Sequence, residues 1–343
     1  STKNISKFPH ASKRKNKRKL SQGRISNMFV TLITQAIKFG IVFLFGSTGE
    51  IIIEKSGHLN LGIPGVMCFG AIGGCLGANL AKNAGLAAGG IVFVAILMAM
   101  LFGAMMGVVY GLFTITLRCN QNVTGLTITT FGAGVLGFWG SMMSNEGTTF
   151  YEVSKVFTAP FFGNVENNWF SQMFLSHGVL VYVGIIITVL VAIFMNRTKT
   201  GLNLEAVGEN PAAADAAGIN VIRYKYLACI IGSAISGIGG AFYLLDCTRG
   251  SLEYVIEGLG WLAVALVIFS LWRPGLCIIG SFIFGLLYIM PNYITGVSLA
   301  EKELVKIIPY VATALVLIII SFFNKRETQP PASLGLSYFR EER

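Results

Sequence analysis

The chain has 343 residues, of which 54% are hydrophobic and 12% are charged, and its mean hydropathy is +0.68. Soluble domains carry about 25% charged residues, so this composition excludes an ordinary soluble domain and indicates an integral membrane protein. The formal net charge is +10, which would favour a nucleic-acid partner only if the charge lay on a folded basic surface.

The positive charge is concentrated at the amino terminus, where residues 1–26 hold nine Lys and Arg residues and no acidic residue. A basic segment directly before a membrane span is typical of a cytoplasmic tail that faces anionic lipid. No folded module accompanies this segment, as nucleic-acid binding would require. We therefore predict a basic cytoplasmic tail over 1–26, with membrane lipid and no nucleic acid as its partner.

Nine apolar stretches follow the tail. A helix needs about 20 apolar residues to cross the hydrocarbon layer of a membrane, and these stretches meet or approach that length. They are roughly 28–48, 66–81, 88–116, 122–143, 177–195, 226–245, 258–272, 275–295 and 306–323. The predicted fold class is all-α: a polytopic transmembrane helix bundle of 9 to 10 spans over 27–323, followed by a cytoplasmic C-terminal tail over 324–343.

The number of crossings decides which loops lie inside the cell. With nine crossings and a cytoplasmic tail, the basic loop over 196–225 would lie outside, against the positive-inside rule. A tenth crossing over Gly49–Gly65 removes this conflict. Because that segment contains Glu54, Lys55 and Asn60, we expect an interrupted helix surrounded by protein or by a water-filled cavity. The alternative is an external amino terminus with nine crossings.

An acidic and aromatic segment over 144–176 lies outside in the ten-crossing arrangement. It is too long for a tight turn, and segments of this length without their own structure are uncommon in compact domains. We expect part of it to pack as a plug or an amphipathic piece and to offer a landing surface for a partner protein. A plain external loop is the alternative.

The internal loop contains a short helix signal, GENPAAADAAGIN, at 208–220. Asn210 is a preferred helix cap and Pro211 a preferred first helical residue, and Gly218 ends the helix. Between them lie Ala212, Ala213, Ala214, Asp215, Ala216 and Ala217. A helix with a flat methyl face can occupy a groove on another protein. The alternative is a surface turn that joins two spans.

Three stretches, in the expected order, resemble one family. GENPAAADAAGINVIRYK (208–225) resembles the coupling loop of bacterial ABC importer permeases, in the branch that includes ribose, branched-chain amino acid and nucleoside permeases. GEIIIEKSGHLNLGIPGVMCFGA (49–71) is similar to the amino-terminal signature of that branch and closest to its nucleoside members. GLGWLAVALVIFSLWRPGL (258–276) resembles its late span. Pro64 and Ser270 depart from the pattern, since they replace a usual acidic residue and a usual glycine.

The resemblance implies a permease subunit in the bacterial cytoplasmic membrane that moves nucleosides by alternating access. It implies that Asn210 to Gly218 form a coupling helix, which inserts into a cleft on a partner ABC ATPase. It also implies a substrate-binding lipoprotein and a second permease, related but not identical, as further partners. Ribose-like sugars and branched-chain amino acids are the alternative substrates, and a self-sufficient secondary carrier or channel is the alternative class.

The chain carries no ATPase signature of its own. The phosphate-binding pattern G-x-x-x-x-G-K-[ST] does not occur in these 343 residues. We therefore expect a translocating subunit that is not an enzyme and binds no cofactor directly, with ATP and Mg on the partner ATPase. We also expect no metal site, because no cysteine pair has C-x-x-C spacing and the histidines are few and scattered.

Candidate substrate contacts are polar or aromatic residues within apolar surroundings, because buried polar groups in a membrane are costly unless they pair or face a cavity. The set is Asn60, Thr124, Thr127, Phe131 and Trp261. Each has a structural alternative. A threonine hydroxyl can bond to the carbonyl one turn back in its own helix, and an aromatic residue can face lipid or the protein core.

Overall fold

The structure is a computed structural model of the single chain and describes residues 10–145, 147, 149–163, 168–252, 256–294, 296, 298–323 and 329–339, with the backbone alone for 10–27. Within these residues the chain forms fourteen α-helices and no strand, as the predicted all-α class requires. They are α1 (His10–Lys55), α2 (Ile63–Asn83), α3 (Ala88–Gly111), α4 (Gln121–Asn145), α5 (Tyr151–Thr158), α6 (Trp169–Phe174), α7 (Val179–Arg197), α8 (Lys199–Glu209), α9 (Pro211–Ala216), α10 (Val221–Phe242), α11 (Glu257–Phe269), α12 (Pro274–Ile289), α13 (Leu299–Val305) and α14 (Ile308–Phe323). α3 and α10 each continue into a π-helical turn, Leu112–Thr116 and Tyr243–Cys247.

The long helices run between two ends of one bundle. We call the end that holds α8 and α9 the α9 end, and the end that holds α5 and α6 the α5 end. α1 reaches both. About halfway along α1 the Thr34 hydroxyl donates to the Gln172 carbonyl of α6 at 3.2 Å, and at the last residue of α1 Lys55 Nζ donates to Glu205 of α8 at 2.9 Å. Between these contacts α1 packs against α7, α10, α11 and α12.

Seven helical segments are long and apolar enough to cross a membrane. They are Met28–Lys55, Ile63–Asn83, Ala88–Thr116, Gln121–Asn145, Val179–Arg197, Val221–Cys247 and Pro274–Tyr293. These segments match seven of the nine predicted apolar stretches. The other two stretches form shorter helices, α11 with 13 residues and α14 with 16. The described part of the chain therefore does not confirm the predicted count of nine to ten spans.

The tenth crossing predicted over Gly49–Gly65 is wrong. Residues 49–55 complete α1, and Gly57 then takes a left-handed conformation, with φ +88°, in the turn before α2. Pro64 lies in the first turn of α2, where its missing N–H costs no helical hydrogen bond. The helix is interrupted here, as expected, but the interruption is a reversal at the α9 end.

This reversal has a consequence for the amino terminus. Met28 lies at the α5 end, opposite to the 196–225 loop, because α1 crosses the bundle once. A cytoplasmic tail over 1–26 and a cytoplasmic 196–225 loop therefore do not fit the same helix order. The observed order of the helices agrees with the alternative prediction, in which the amino terminus and the 196–225 loop lie on opposite sides of the membrane.

The centre of the bundle is built on close backbone contact between α2 and α10. Gly240 of α10 lies against Met67 of α2 so closely that a Cβ atom on Gly240 would be 1.8 Å from the Met67 carbonyl oxygen. Small residues allow two helix backbones to approach this closely. The resulting van der Waals packing holds the helices together in lipid, where no hydrophobic effect drives them to associate. This contact fixes the position of α2, against which α3 and α4 pack in turn.

A buried ion pair holds α1 to the end of α10. Lys38 Nζ donates to Asp246 Oδ1 at 2.7 Å, and the side chains of Lys38 and Asp246 are 17% and 0% exposed. The second oxygen, Asp246 Oδ2, is buried without a hydrogen-bond partner among the described residues. The Asp246 carboxylate therefore depends on Lys38.

We expect Lys38→Met to lower the free energy of unfolding by about 3 kcal/mol or more, because it leaves the buried Asp246 carboxylate without the ammonium group that it is paired with. The matched control is Lys155→Met at the same end, since Lys155 and Glu152 form an exposed pair at the same distance of 2.7 Å. Thermal unfolding of the purified variants measures both effects. Equal melting temperatures for the two variants would show that burial does not matter to the Lys38 pair.

Candidate functional site

The short helix predicted from GENPAAADAAGIN is present as α9. The Asn210 side-chain oxygen accepts the Ala213 backbone N–H at 3.0 Å, and Pro211 is the first helical residue. The helix ends at Ala216, and Gly218 follows with φ +84°. The local signals for cap, first turn and stop therefore act as the sequence predicts.

α9 presents methyl groups and little else to its surroundings. Ala214 is buried against Val207 and Val221 from the two flanking helices. The exposed alanines are Ala212, Ala213, Ala216 and Ala217. The carboxylate of Asp215 accepts the Tyr338 hydroxyl at 2.8 Å, so it is engaged by the chain itself. The result is a small uncharged face, which we call the α9 face, anchored by one alanine.

The support of α9 contacts the turn between α1 and α2. Gly208, near the end of α8, lies against the backbone of Lys55, where a Cβ atom on Gly208 would be 2.2 Å from the Lys55 carbonyl oxygen. The ion pair between Lys55 and Glu205 lies beside this contact. α8, which directly precedes α9, is therefore in direct backbone contact with the end of α1.

Residues 329–339, which we call the C-terminal strap, close over the same region. The backbone N–H groups of Ser333 and Gly335 donate to the carbonyls of Gly208 and Gly57, at 3.0 and 3.1 Å. Farther along, the Arg118 guanidinium lies 4.6 Å from the centre of the Phe339 ring. The strap thus ties α8, the α1–α2 turn and the α3–α4 turn together. The sequence alone predicts this segment only as part of a C-terminal tail.

Two buried glutamates organise the α1–α2 turn from inside. Glu50 Oε1 accepts the Asn60 backbone N–H at 3.0 Å, and Glu54 accepts the indole N–H of Trp272. The second oxygen of Glu50, Oε2, is buried without a hydrogen-bond partner among the described residues. Trp272 belongs to the turn between α11 and α12, so this cluster joins two turns that are far apart in sequence.

We expect Glu54→Ala to lower the free energy of unfolding by about 1–3 kcal/mol, because it leaves the buried Trp272 N–H without an acceptor. Glu54→Gln is the matched control, since its amide oxygen can accept from Trp272 and its NH₂ can donate to Glu50. The melting temperature of the Gln variant should stay close to that of the parent. A fall of equal size in both variants would contradict a role as hydrogen-bond acceptor.

The predicted substrate residues occupy three different places. Thr127 and Phe131 are exposed on one face of α4, where the Phe131 ring stacks on Phe69 of α2 with centroids 5.6 Å apart. Asn60 is fully buried, and its side-chain oxygen accepts the Gly62 N–H at 2.9 Å. The Asn60 amide nitrogen has no hydrogen-bond partner among the described residues.

The two predicted threonines of α4 donate to carbonyls of the preceding turn. The hydroxyls of Thr124 and Thr127 donate to the carbonyls one turn back, each at 2.8 Å, as in the structural alternative considered for them. Trp261 lies apart from α4, in a groove of about 420 Å³ between α11 and α14. The structure therefore brings together Thr127, Phe131 and the unpredicted Phe69. Phe69 could be found only from the crossing of α2 and α4, which sequence spacing does not reveal.

The segment over 144–176 folds in part at the α5 end; Glu146 and Glu166 lie outside the described residues. α5 is amphipathic, with Val153 and Phe157 buried and Glu152 exposed. The Lys155 ammonium beside Glu152 holds the pKa of that exposed carboxyl below its usual value. Exposed aromatic side chains follow, namely Phe161, Phe162, Trp169 and Phe170. Within the described residues no three His, Cys, Asp or Glu side chains are grouped as metal ligands.

Comparison with known proteins gives consistent matches. Residues 31–320 match the family of the permease component of the branched-chain amino acid transport system. A putative glucose ABC transporter permease protein of Haloferax volcanii is 32% identical, over 78% of this chain and 79% of its own length. The nucleoside ABC transporter permease protein NupC of Lactococcus lactis is 27% identical, over 93% and 99% of the two chains. The guanosine ABC transporter permease protein NupQ of Bacillus subtilis is 26% identical, over 91% and 97%.

Proposed function

The chain belongs to the family of branched-chain amino acid transport system permease components, and on that premise we propose that it is the membrane-spanning subunit of an ATP-driven nucleoside importer in the cytoplasmic membrane. The observation that carries the proposal is the α9 face, an uncharged helix surface that directly follows α8, whose Gly208 lies against the end of α1. A nucleoside permease and a guanosine permease match this chain over more than nine-tenths of its length, which supports nucleosides as the substrate.

In this proposal α9 is the coupling helix, formed by Asn210 to Gly218, and it docks into a cleft on an ABC ATPase that holds ATP and Mg. The α9 end then lies in the cytoplasm. ATP binding favours one of two arrangements of the subunits, and α9 transmits that preference to α1. The chain itself binds no cofactor and hydrolyses nothing.

The α5 end then lies outside, where α5, α6 and their exposed aromatic residues offer a landing surface for a substrate-binding lipoprotein. The second permease subunit would be a related, non-identical chain. Two different nucleoside permease proteins of Lactococcus lactis match this chain, which supports such a pair. The pathway residues are proposed to be Thr127 and Phe131 on the exposed face of α4, with Thr124, Asn60 and Trp261 as further candidates.

Sidedness can be tested with Cys119, which is exposed in the α3–α4 turn at the α9 end. We expect a membrane-impermeant maleimide to label Cys119 in inside-out vesicles and not in intact cells. The control is Ala84→Cys in a Cys119→Ser background, because Ala84 is exposed at the opposite end and should show the reverse pattern. Labelling of Cys119 from outside would contradict the proposed orientation.

Transport is tested with the chain, its ATPase, the second permease and the binding protein in proteoliposomes. Uptake of radiolabelled guanosine should require ATP on the ATPase side. Competition by unlabelled glucose or leucine tests the second candidate function, a sugar or amino acid permease, which the Haloferax volcanii relative favours for sugars. Uptake driven by an ion gradient with this chain alone would overturn the proposal in favour of a secondary carrier.

A further inference from the structure

A cavity of about 350 Å³ lies at the α9 end, beneath the C-terminal strap and apart from the exposed face of α4. Its walls come from the α1–α2 turn, the end of α3, the connection from α9 to α10, and strap residues Ser337 and Tyr338. Sites for small molecules in proteins have volumes of about 300–1,000 Å³. The cavity is therefore large enough for a small ligand.

The charge on its walls is positive. Lys225 is 3% exposed, and its ammonium group has no hydrogen bond or ion pair with a described residue. Arg118 lies on the same wall. The only carboxylate among the lining residues is that of Asp215, which Tyr338 engages at 2.8 Å. Of these groups the Lys225 ammonium is the buried one, and a buried ammonium group without a counter-charge is costly.

Further hydrogen-bond donors line the cavity. His58 is 2% exposed, and its Nδ1 atom has no hydrogen-bond partner among the described residues. Burial and the charge of Lys225 lower the pKa of His58, so its ring is neutral and keeps one N–H. Val221 and Ile222, in the first turn of α10, also line the cavity. The first N–H groups of a helix lack partners within it and attract anions.

We infer that this cavity binds the phosphate group of an anionic molecule, held by the Lys225 ammonium, the Arg118 guanidinium and the N–H groups of His58 and the α10 start. Phosphate suits this site because it accepts hydrogen bonds from several directions at once. Two sources can supply such a phosphate, a free molecule and a lipid headgroup, and the experiment below distinguishes them. The inference rests on the cavity alone and does not depend on the transported substrate.

A phosphate group bound in the cavity would connect three parts of the chain that support α9: the α1–α2 turn, the connection from α9 to α10, and the strap. A bound phosphate would therefore limit the movement of α9 relative to α1. If the α9 end is cytoplasmic, as proposed above, the cavity lies on the side of the membrane where phosphorylated metabolites and anionic lipid headgroups both occur.

The test uses the full-length chain in phosphatidylcholine nanodiscs, with radiolabelled inorganic phosphate and, separately, AMP in equilibrium dialysis. We expect saturable binding at one site per chain, weakened about tenfold or more by Lys225→Gln, as loss of a charge-assisted hydrogen bond implies. Lys199→Gln is the matched control, since Lys199 is exposed at the same end and does not line the cavity. If Lys225→Gln fails to fold, Arg118→Gln takes its place.

A lipid source is tested in nanodiscs that also contain phosphatidylglycerol, by counting the lipids that stay bound on native mass spectrometry. Retention of phosphatidylglycerol by the parent and its loss from Lys225→Gln would assign the phosphate to a headgroup. No saturable binding of phosphate or AMP, together with no retained lipid, would overturn the inference. Equal weakening by Lys199→Gln would also overturn it, because bulk charge would then explain the binding.

Discussion

Replacing Ala213 with glutamate is expected to abolish ATP-driven uptake while the purified chain stays as stable as the parent. Ala213 is exposed in the first turn of α9, where a negative charge is favoured by the helix dipole, so the helix itself is not weakened. In a docked complex the same carboxylate would be buried in the ATPase cleft without a partner. Such burial costs several kcal/mol, which corresponds to about a hundredfold or more in affinity.

Co-purification of the ATPase and uptake into proteoliposomes measure this effect. The matched control is Ala88→Glu, because Ala88 is also exposed in the first turn of a helix, α3, but lies at the α5 end. We expect Ala88→Glu to retain both ATPase binding and uptake. If Ala213→Glu binds the ATPase and transports like the parent, α9 is not the docking helix. If both variants fail alike, the loss has another cause.

The second large effect is expected from Gly240→Ala in the centre of the bundle. The added Cβ would meet the Met67 carbonyl oxygen at 1.8 Å, and a backbone atom cannot move aside as a flexible side chain can. α2 and α10 must separate, which we expect to lower the free energy of unfolding by about 3 kcal/mol or more. The contacts of α2 with α3 and α4 would loosen with it.

Gly134→Ala is the matched control for this prediction. Gly134 lies within α4, and a Cβ atom there would have nothing within 4 Å. Alanine is favoured over glycine in a helix interior by about 0.5–1 kcal/mol, so this variant should melt at the same temperature as the parent or higher. Both variants replace glycine with alanine, but their effects on the melting temperature should have opposite signs. Equal shifts would show that helix propensity, and not close packing, decides the result.

What the sequence could predict was set by local signals. The α9 helix follows from a cap, a proline, five alanines and a glycine that are neighbours in the chain, and the structure contains it with the expected cap. The apolar stretches likewise predict helices because apolar length is a local property. The family resemblance of 49–71, 208–225 and 258–276 agrees with the match over 31–320.

What could not be predicted depends on contacts between distant segments. The positive-inside rule predicts a separate crossing over Gly49–Gly65, and Glu54 and Lys55 predict that its helix is interrupted. In the structure both side chains have partners inside the protein instead: Trp272 for Glu54, and Glu205 for Lys55. A local sequence pattern does not predict contacts with partners that lie more than a hundred residues away in the chain. The C-terminal strap was missed for the same reason, since its hydrogen bonds go to the carbonyls of Gly57 and Gly208.

α1 carries one ion pair toward each end of the bundle, Lys38 with Asp246 and Lys55 with Glu205. At 1.5 Å per residue the two lysines are about 25 Å apart along one unbroken rod. A tilt of that rod cannot preserve both pairs unless α8 and the end of α10 swing with it. Movements at the two ends of the bundle are therefore coupled through α1. A variant that breaks one ion pair should also weaken the coupling at the other end.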